Sequence, residues 1–268
     1  MSKPSKKHGR IRPHTNPLSI IQFAVPNHPD QYDWHRHYPE IIPPKENPNE
    51  IIEVEPKVTI LDIGSGFGGL IQCLSSEFKD ELILGIEIRS SATEITKENI
   101  EEARANGKTL RPDGTTRDWN PQNIGVLNTN IMKYAPNYFH KGQLNKMFIL
   151  FGDPHFKRTK HRLRVINPTY LDIYAYLLKV GGILYTISDV EALYLWQKKH
   201  LDEHPLFERI PDEELTDDVC FDLIHNGTHE GQKVTKNKGN KYPAVYRRVE
   251  FNRDAVDLSV KHRVSILE

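Results

Sequence analysis

The sequence has little of what several common classes of protein need. Its only two cysteines, Cys73 and Cys220, match neither a zinc-site spacing nor a disulfide framework. No apolar run approaches the roughly 20 residues of a membrane-spanning helix, and the basic N-terminus lacks the apolar segment of a secretory signal. A G-x-S-x-G motif is absent, and His200 and His204 share one helical turn without a third ligand nearby. We therefore expect an intracellular protein without a metal site, a membrane anchor or a hydrolase-type nucleophile.

Net charge is absent too, because 36 lysines and arginines balance 36 acids. By itself this balance argues against a nucleic-acid-binding protein. The charges are nevertheless separated along the chain. The basic segments are 3–12, 157–164 and 233–248, and the acidic segments are 46–55, 94–102 and 202–218. This separation predicts one face that attracts phosphates on a neutral molecule, although a run of charges is more often a solvated surface.

The predicted organisation is a basic tail over residues 1–30 and a single domain over residues 31–268. The tail is rich in proline, lysine, histidine and asparagine and is expected to be disordered until it binds something. In the domain, short apolar segments alternate with helical patterns, which is typical of an α/β fold. The predicted strands are 58–63, 82–88, 124–127, 147–151, 183–187, 207–210 and 244–251. We expect a seven-stranded, mostly parallel sheet with helices on both faces, and a long polar surface loop over residues 106–123. A helix is predicted from Pro168 to about Lys179, ending at Gly181-Gly182.

A glycine-rich turn follows the first predicted strand. The sequence Asp62-Ile-Gly-Ser-Gly-Phe-Gly-Gly69 leads into a helix, whose first backbone amides can approach a ligand closely. It fits both the dinucleotide template G-x-G-x-x-G and the loop of S-adenosylmethionine-binding proteins. Asp62 favours the second template, because an acid can orient the amino-acid end of S-adenosylmethionine. This cofactor has no pyrophosphate, which the acid would repel. Glu87 ends the second strand at the position of a ribose-binding carboxylate, with Arg89 beside it.

Two polar side chains follow the third strand. Asn130 could bond to an adenine ring, and Lys133 follows closely enough to join a cationic face. Asparagine is also an ordinary residue of turns, so the residues alone leave both readings of Asn130 open.

The stretch Lys146–Arg164 combines an apolar strand, a carboxylate and a series of cations. Gly152, Asp153 and Pro154 end the strand. The cations then follow without a single acid: Lys157, Arg158, Lys160, Arg162 and Arg164. Ligands of open α/β sheets bind outside the carboxyl ends of the strands. Asp153 is therefore expected to face a polyanionic substrate.

These features suit methyl transfer to a nucleic acid. N7 of guanine is a lone-pair nucleophile without a proton, so its attack on a sulfonium methyl group needs positioning rather than a general base. The methylated ring is cationic, and Asp153 could hold the Watson–Crick edge of the base while stabilising that charge. Lys157, Arg158 and Lys160 would hold phosphates without reading the base.

Four segments of the chain are distinctive enough to indicate a family. They are Asp62–Gly69, Leu84-Gly-Ile-Glu-Ile-Arg89, Tyr138-Phe-His-Lys-Gly-Gln-Leu144 and Phe151-Gly-Asp-Pro-His-Phe-Lys-Arg-Thr-Lys-His161. Together with His204-Pro-Leu-Phe-Glu-Arg209, they resemble the catalytic subunit of eukaryotic tRNA (guanine-N7)-methyltransferases. The resemblance covers about residues 32–248. It implies a class I methyltransferase fold of the Rossmann-like type, S-adenosylmethionine as donor, a guanosine in the tRNA variable loop as target, and a heterodimer with a WD-repeat propeller subunit.

By matched position, the resemblance also implies roles for individual residues. Asp153 would be the active-site residue. The cofactor would be bound by Gly64, Glu87, Arg89, Asn130, Ile131, Leu150, Thr228 and Glu230, of which the last two are not indicated by spacing. Two positions depart from the family pattern, since Gly152 stands where proline is common and Ile131 where alanine is usual. We expect Gly152 to loosen the turn that carries Asp153, and Ile131 to crowd the adenine side.

Other functions stay open on the residues alone. They are a methyltransferase acting on another RNA or on protein, a non-catalytic RNA-binding scaffold, and an NAD-dependent oxidoreductase, which lacks a visible substrate domain. The basic tail fits a nuclear address or an arm on nucleic acid, and we expect a nuclear location.

Overall fold

The computed structural model of the protein describes residues 16–19, 23–47, 56–111 and 114–251. One sheet contains seven strands: β1 (Val58–Ile63), β2 (Leu82–Glu87), β5 (Ile124–Asn128), β6 (Leu144–Leu150), β7 (Leu178–Ser188), β8 (Phe207–Ile210) and β9 (Tyr242–Arg248). Their order across the sheet is β5-β2-β1-β6-β7-β9-β8. The four pairings from β5 to β7 are parallel, and β9 runs antiparallel to both β7 and β8. The predicted seven-stranded, mostly parallel sheet is confirmed.

Within the residues that the structure describes, seven α-helices pack around the sheet. They are α1 (Gly69–Glu77), α2 (Ser90–Asn106), α3 (Ile131–Tyr138), α4 (Pro168–Leu177), α5 (Glu191–Asp202), α6 (Val219–Asn226) and α7 (His229–Lys236). Their ends follow from local chemistry. The Asn167 side chain accepts a hydrogen bond from the Thr169 amide at the start of α4, with Pro168 in the first turn. Gly107 ends α2 in the left-handed conformation, with φ of 62°.

The sheet is buried on both faces. Neighbouring side chains of a strand point to opposite sides, so each strand contributes to two hydrophobic clusters. One hydrophobic cluster contains Leu61, Leu84 and Met147, and the other contains their chain neighbours Ile60, Ile83 and Phe148. This two-sided burial explains why the central strands are nearly continuous apolar runs.

Two expectations about chain segments are wrong. Residues 106–123 are not simply a loop, since they contain an antiparallel hairpin of β3 (Lys108–Leu110) and β4 (Thr116–Asp118), in which Thr109 is buried. The helix α4 ends at Leu177, and β7 begins at once and runs through Gly181 and Gly182. The glycines therefore lie inside a strand instead of ending a helix.

Part of the expected disordered tail lies against α3. Lys133 Nζ donates a hydrogen bond to the Ser19 carbonyl, Asn137 donates to Pro26, and the Tyr138 hydroxyl donates to Ala24. A 3-10 helix covers Pro29–Gln31. Residues 1–15 and 20–22 lie outside the described residues, so the tail boundary at residue 30 and the single domain over 31–268 stay predictions.

Candidate active site

A cavity of about 700 Å³ opens at the carboxyl ends of β1, β2, β5, β6 and β7. All nine residues predicted for catalysis or cofactor binding line it: Gly64, Glu87, Arg89, Asn130, Ile131, Leu150, Asp153, Thr228 and Glu230. The structure thus brings together residues from across the chain at the place where open α/β sheets bind ligands. Their individual roles stay predictions.

The glycine turn after β1 forms one wall of the cavity. Gly64 has φ of 80°, and a Cβ at this position would project into open space. Gly68 has φ of 76°, and a Cβ there would lie 2.6 Å from Thr96 Cγ2. Side chains are disfavoured at both positions, because left-handed backbone suits glycine. The turn is fixed to its neighbours by hydrogen bonds from the Gly64 amide to the Ile86 carbonyl, at 2.7 Å, and from Thr96 Oγ1 to the Gly66 carbonyl, at 2.8 Å.

Glu87 lies beneath this turn and is 3% exposed. Its carboxylate accepts hydrogen bonds from the Gly66 amide at 3.1 Å and from the Arg89 amide, Nε and Nη2 at 2.9, 3.0 and 2.9 Å. Four donors match the roughly four acceptor sites of a carboxylate. The hydrogen bond to Glu87 and the charges of Glu87, Asp153 and Glu230 raise the pKa of Arg89. Arg89 is therefore a cation held among three acids of the cavity.

Asp62 lies at the end of β1, on the cavity wall, and is 3% exposed. Burial, with a smaller contribution from the charge of Glu87, raises its pKa to about 7 because both disfavour the ionised form. The acid that the glycine motif indicated thus lines the cavity, and its raised pKa lies near neutral pH.

Asn130 begins α3 and lines the side of the cavity expected to hold adenine. Its Oδ1 accepts a hydrogen bond from the Met132 amide at 3.0 Å, so it caps the helix. Its amide nitrogen donates to the carbonyl of Pro17, which also lines the cavity. The sequence carries no signal for Pro17, because 113 residues separate the two partners.

Asp153 lies on the turn after β6. The residues two positions away on either side, Phe151 and His155, have φ of 48° and 42°, which is uncommon for residues other than glycine. Such backbone persists where the surroundings hold it. Gly152 is not in the left-handed region, and a Cβ there would lie 3.5 Å from Val165 Cγ1, an ordinary contact distance. Position 152 can therefore accept a side chain.

Thr228 and Glu230 reach the cavity at the start of α7. Thr228 Oγ1 accepts a hydrogen bond from the Gly231 amide at 2.9 Å and caps the helix. This segment packs directly on the glycine turn, since a Cβ on Gly69 would lie 3.0 Å from the Gly227 carbonyl oxygen. Sequence reasoning missed other lining residues here, among them His229 and Lys233.

The cations after Asp153 divide into two groups. Lys157, Arg158, Lys160 and Arg162 are exposed, the last three on a 3-10 helix over Arg158–Leu163. Phe156 beside them is 73% exposed. Arg164, in contrast, is 4% exposed and does not belong to the cationic surface with which the sequence grouped it. Lys133 is exposed as expected, while its ammonium donates to the Ser19 carbonyl at 2.8 Å.

Within the described residues, no three His, Cys, Asp or Glu side chains are arranged to hold a metal ion. In the same ranges no helix has the length and apolar character needed to cross a membrane.

Comparison with known proteins gives consistent similarities. A family model described as "Putative methyltransferase" matches residues 56–244. The chain is 46% identical to a tRNA (guanine-N(7)-)-methyltransferase of Bombyx mori, over 93% of this chain and 97% of that protein. It is 46% identical to one of Candida glabrata, covering 92% and 82%, and 44% identical to one of Mus musculus, covering 92% of each. Among solved structures, a geranyl diphosphate C-methyltransferase from Streptomyces coelicolor matches at 12% identity with a TM-score of 0.42, over 72% of this chain and 74% of that one.

Proposed function

Since the chain belongs to the tRNA (guanine-N(7)-)-methyltransferase family, we propose that it methylates N7 of a guanosine in the tRNA variable loop, with Asp153 holding the base. The chain is an S-adenosylmethionine-dependent methyltransferase whose target is guanine N7 in tRNA. Two parts of the proposal go beyond this activity: the location of the target guanosine in the variable loop, and the roles of individual residues. One observation carries them: a single cavity joins the glycine turn and its acids to Asp153, and exposed cations follow Asp153 directly.

The residues of the cavity fit S-adenosylmethionine. Open space lies above Gly64, and the carboxylates of Asp62 and Glu87 line the wall next to it. When bound, the cofactor supplies an electrophilic methyl group on a sulfonium. Asp62 is placed to hold its ammonium group, and Glu87 to accept its ribose hydroxyls. Because Arg89 now occupies acceptor sites of Glu87, we propose that the guanidinium turns towards Asp153 and Glu230 when ribose binds.

Asp153 acts on the base by position and charge. Guanine N7 needs no proton removed, so the carboxylate serves as a hydrogen-bond acceptor for the Watson–Crick edge. It also stabilises the positive charge that develops on the ring. Lys157, Arg158 and Lys160 hold phosphates beside it, and Lys133 adds a cation on α3. Ile131, buried at the start of α3, and Leu150, at the end of β6, give the cofactor apolar contact.

The test is methylation of tRNA transcripts with labelled S-adenosylmethionine, followed by chemical cleavage at 7-methylguanosine. We expect one cleavage site, in the variable loop, and a loss of at least about 100-fold in kcat for Asp153→Asn, as for removal of an electrostatic contact in an active site. The control is Asp118→Asn, whose side chain is 93% exposed on the β3–β4 hairpin. Cleavage elsewhere in the tRNA, or full activity of Asp153→Asn, would contradict the proposal.

We also propose that the chain works as a heterodimer with a WD-repeat propeller subunit. The family resemblance supports this, and Tyr176 and Val180, 43% and 53% exposed at the junction of α4 and β7, offer apolar contact. Co-expression and size-exclusion chromatography test it. Absence of a stable complex, with unchanged activity, would refute it.

A nuclear location is proposed from the basic segment 3–12. A fluorescent fusion of the full chain should accumulate in the nucleus, and a matched fusion with the five cations of that segment replaced by glutamine should not. Equal distribution of the two fusions would contradict it.

A further inference from the structure

Arg164 closes the run of cations after Asp153, but its side chain points into the protein. It is 4% exposed, and its Nε donates a hydrogen bond to the Pro154 carbonyl at 2.8 Å. This carbonyl belongs to the residue directly after Asp153. Arg164 therefore contacts the turn that carries the active-site carboxylate, from a position ten residues downstream.

The guanidinium is in turn held by Trp196 on α5. Its carbon lies 4.7 Å from the indole centroid, a cation–π distance. The indole Nε1 donates to the Ile166 carbonyl at 2.9 Å, and the His161 ring packs edge-on against the indole at 4.9 Å. One side chain of α5 thus contacts the segment 161–166 at three points.

The turn needs such support from outside. Phe151 and His155 both adopt left-handed backbone, which persists where surrounding contacts over-determine it. On the N-terminal side of Asp153, the Phe151 amide donates a hydrogen bond to the Ile187 carbonyl at 2.8 Å. On its C-terminal side, the hydrogen bond from Arg164 to the Pro154 carbonyl fixes the chain.

We propose that Arg164 and Trp196 are positioning residues for methyl transfer. Together they form an anchor that aims Asp153 into the cavity and leaves Lys157, Arg158 and Lys160 facing outwards. Neither residue touches the cofactor or the base in this assignment. The anchor acts on the rate of the chemical step and leaves the binding of phosphates to the exposed cations. It rests on the role of Asp153 given under the proposed function.

The variants Arg164→Lys and Arg164→Ala test the anchor, with Arg111→Ala, an exposed arginine outside the cavity, as the matched control. Lysine keeps the charge but lacks the planar fork that stacks on indole and donates through Nε. Both Arg164 variants should lower kcat by at least about tenfold, since a displacement of about 1 Å can reduce a rate 100-fold. Their affinity for S-adenosylmethionine and the salt dependence of tRNA binding should stay as in the wild type. Arg111→Ala should keep the wild-type kcat, the wild-type affinity for S-adenosylmethionine and the wild-type salt dependence of tRNA binding. Trp196→Phe keeps an aromatic face and should retain more activity than Trp196→Ala.

Limited trypsin digestion gives a readout that does not depend on activity. Cleavage after Lys157 and Arg158 should be several-fold faster in Arg164→Ala than in the wild type, because the segment loses its contact with α5. Unchanged cleavage in Arg164→Ala, or wild-type kcat in Arg164→Lys, would overturn the anchor. If Asp153→Asn is fully active while cleavage in Arg164→Ala is still faster, the role of Asp153 fails and the anchor on the turn stands.

Discussion

Asp62 makes the stability of the protein depend on pH in an unusual direction. An aspartate has an ordinary pKa of 3.8, whereas burial and the charge of Glu87 raise that of Asp62 to about 7. Between these two values the folded protein holds a proton on Asp62 that the unfolded chain has released. Replacing Asp62 by asparagine removes the ionisable group and keeps nearly the same shape.

The sign follows from proton linkage. Where the folded state binds more protons than the unfolded state, the free energy of unfolding falls as pH rises. The contribution of Asp62 is therefore most favourable below pH 4, declines between about pH 4 and 7, and is constant above that. At about 1.4 kcal/mol for each pH unit, the interval from 3.8 to about 7 gives at most about 4 kcal/mol. Relative to the wild type, Asp62→Asn should gain stability as pH rises from 5 to 8.

Urea denaturation at pH 5, 6, 7 and 8 measures this difference. Both proteins contain the same histidines, so their titration cancels in the comparison. Asp80→Asn, an exposed carboxylate outside the cavity, controls for the loss of one negative charge. A difference in free energy of unfolding that is the same at all four pH values would refute the reasoning. Because a cationic ligand favours the ionised acid, the affinity of the wild type for S-adenosylmethionine should also rise towards pH 7, and Asp62→Asn should lose that rise.

Three further outcomes are expected. Lys157→Ala combined with Lys160→Ala should weaken tRNA binding and make the slope of log affinity against log salt shallower by roughly 1 to 2, as measured by filter binding at several ionic strengths; an unchanged slope would assign these cations to solvated surface. Gly152→Ala should raise the free energy of unfolding by about 0.4–1 kcal/mol without lowering kcat, in urea denaturation and tRNA methylation assays; a loss of kcat would show that the turn requires glycine. Thr228→Ala should lower the free energy of unfolding by about 1 kcal/mol through loss of the α7 cap, while Thr228→Ser retains it; equal stability of the two variants would contradict the capping role.

The sheet could be predicted because its information is local. A buried parallel strand is a short apolar run between turn residues, and Val58–Ile63 and Phe207–Ile210 have the bounds predicted for them. The β3–β4 hairpin was missed because its strands have three residues each, too few for a period to be seen. The sequence predicts too long a helix α4, because Gly181 and Gly182 are typical of a helix end whereas the backbone uses them inside β7.

The residues of the active site also fall into two groups: those indicated by their spacing from a strand, and those brought to the cavity by contacts between distant segments. The glycine turn and Glu87 stand at fixed offsets from their strands, so spacing indicates them. Thr228 and Glu230 reach the cavity only because α7 packs on that turn, and a resemblance was needed to name them. Pro17 and the partners of Arg164 depend on contacts between distant segments, which no local pattern records. The positive charge of Arg164 predicts a place on the cationic surface, and this prediction is wrong. Sequence alone does not distinguish a buried arginine from an exposed one.

Hydrogen bonds on both sides of Asp153 change the expected effect of Gly152, which stands where the family commonly has proline. From the family pattern, glycine in place of proline should loosen the turn that aims Asp153. In the structure the turn is fixed from both ends, by the Phe151 amide on Ile187 and by Arg164 on Pro154. A proline acts largely by restricting the unfolded chain, so its absence lowers stability more than it changes the folded geometry. Activity should therefore tolerate changes at position 152 and be sensitive at position 164, where the side chain that sets the direction of the carboxylate is found.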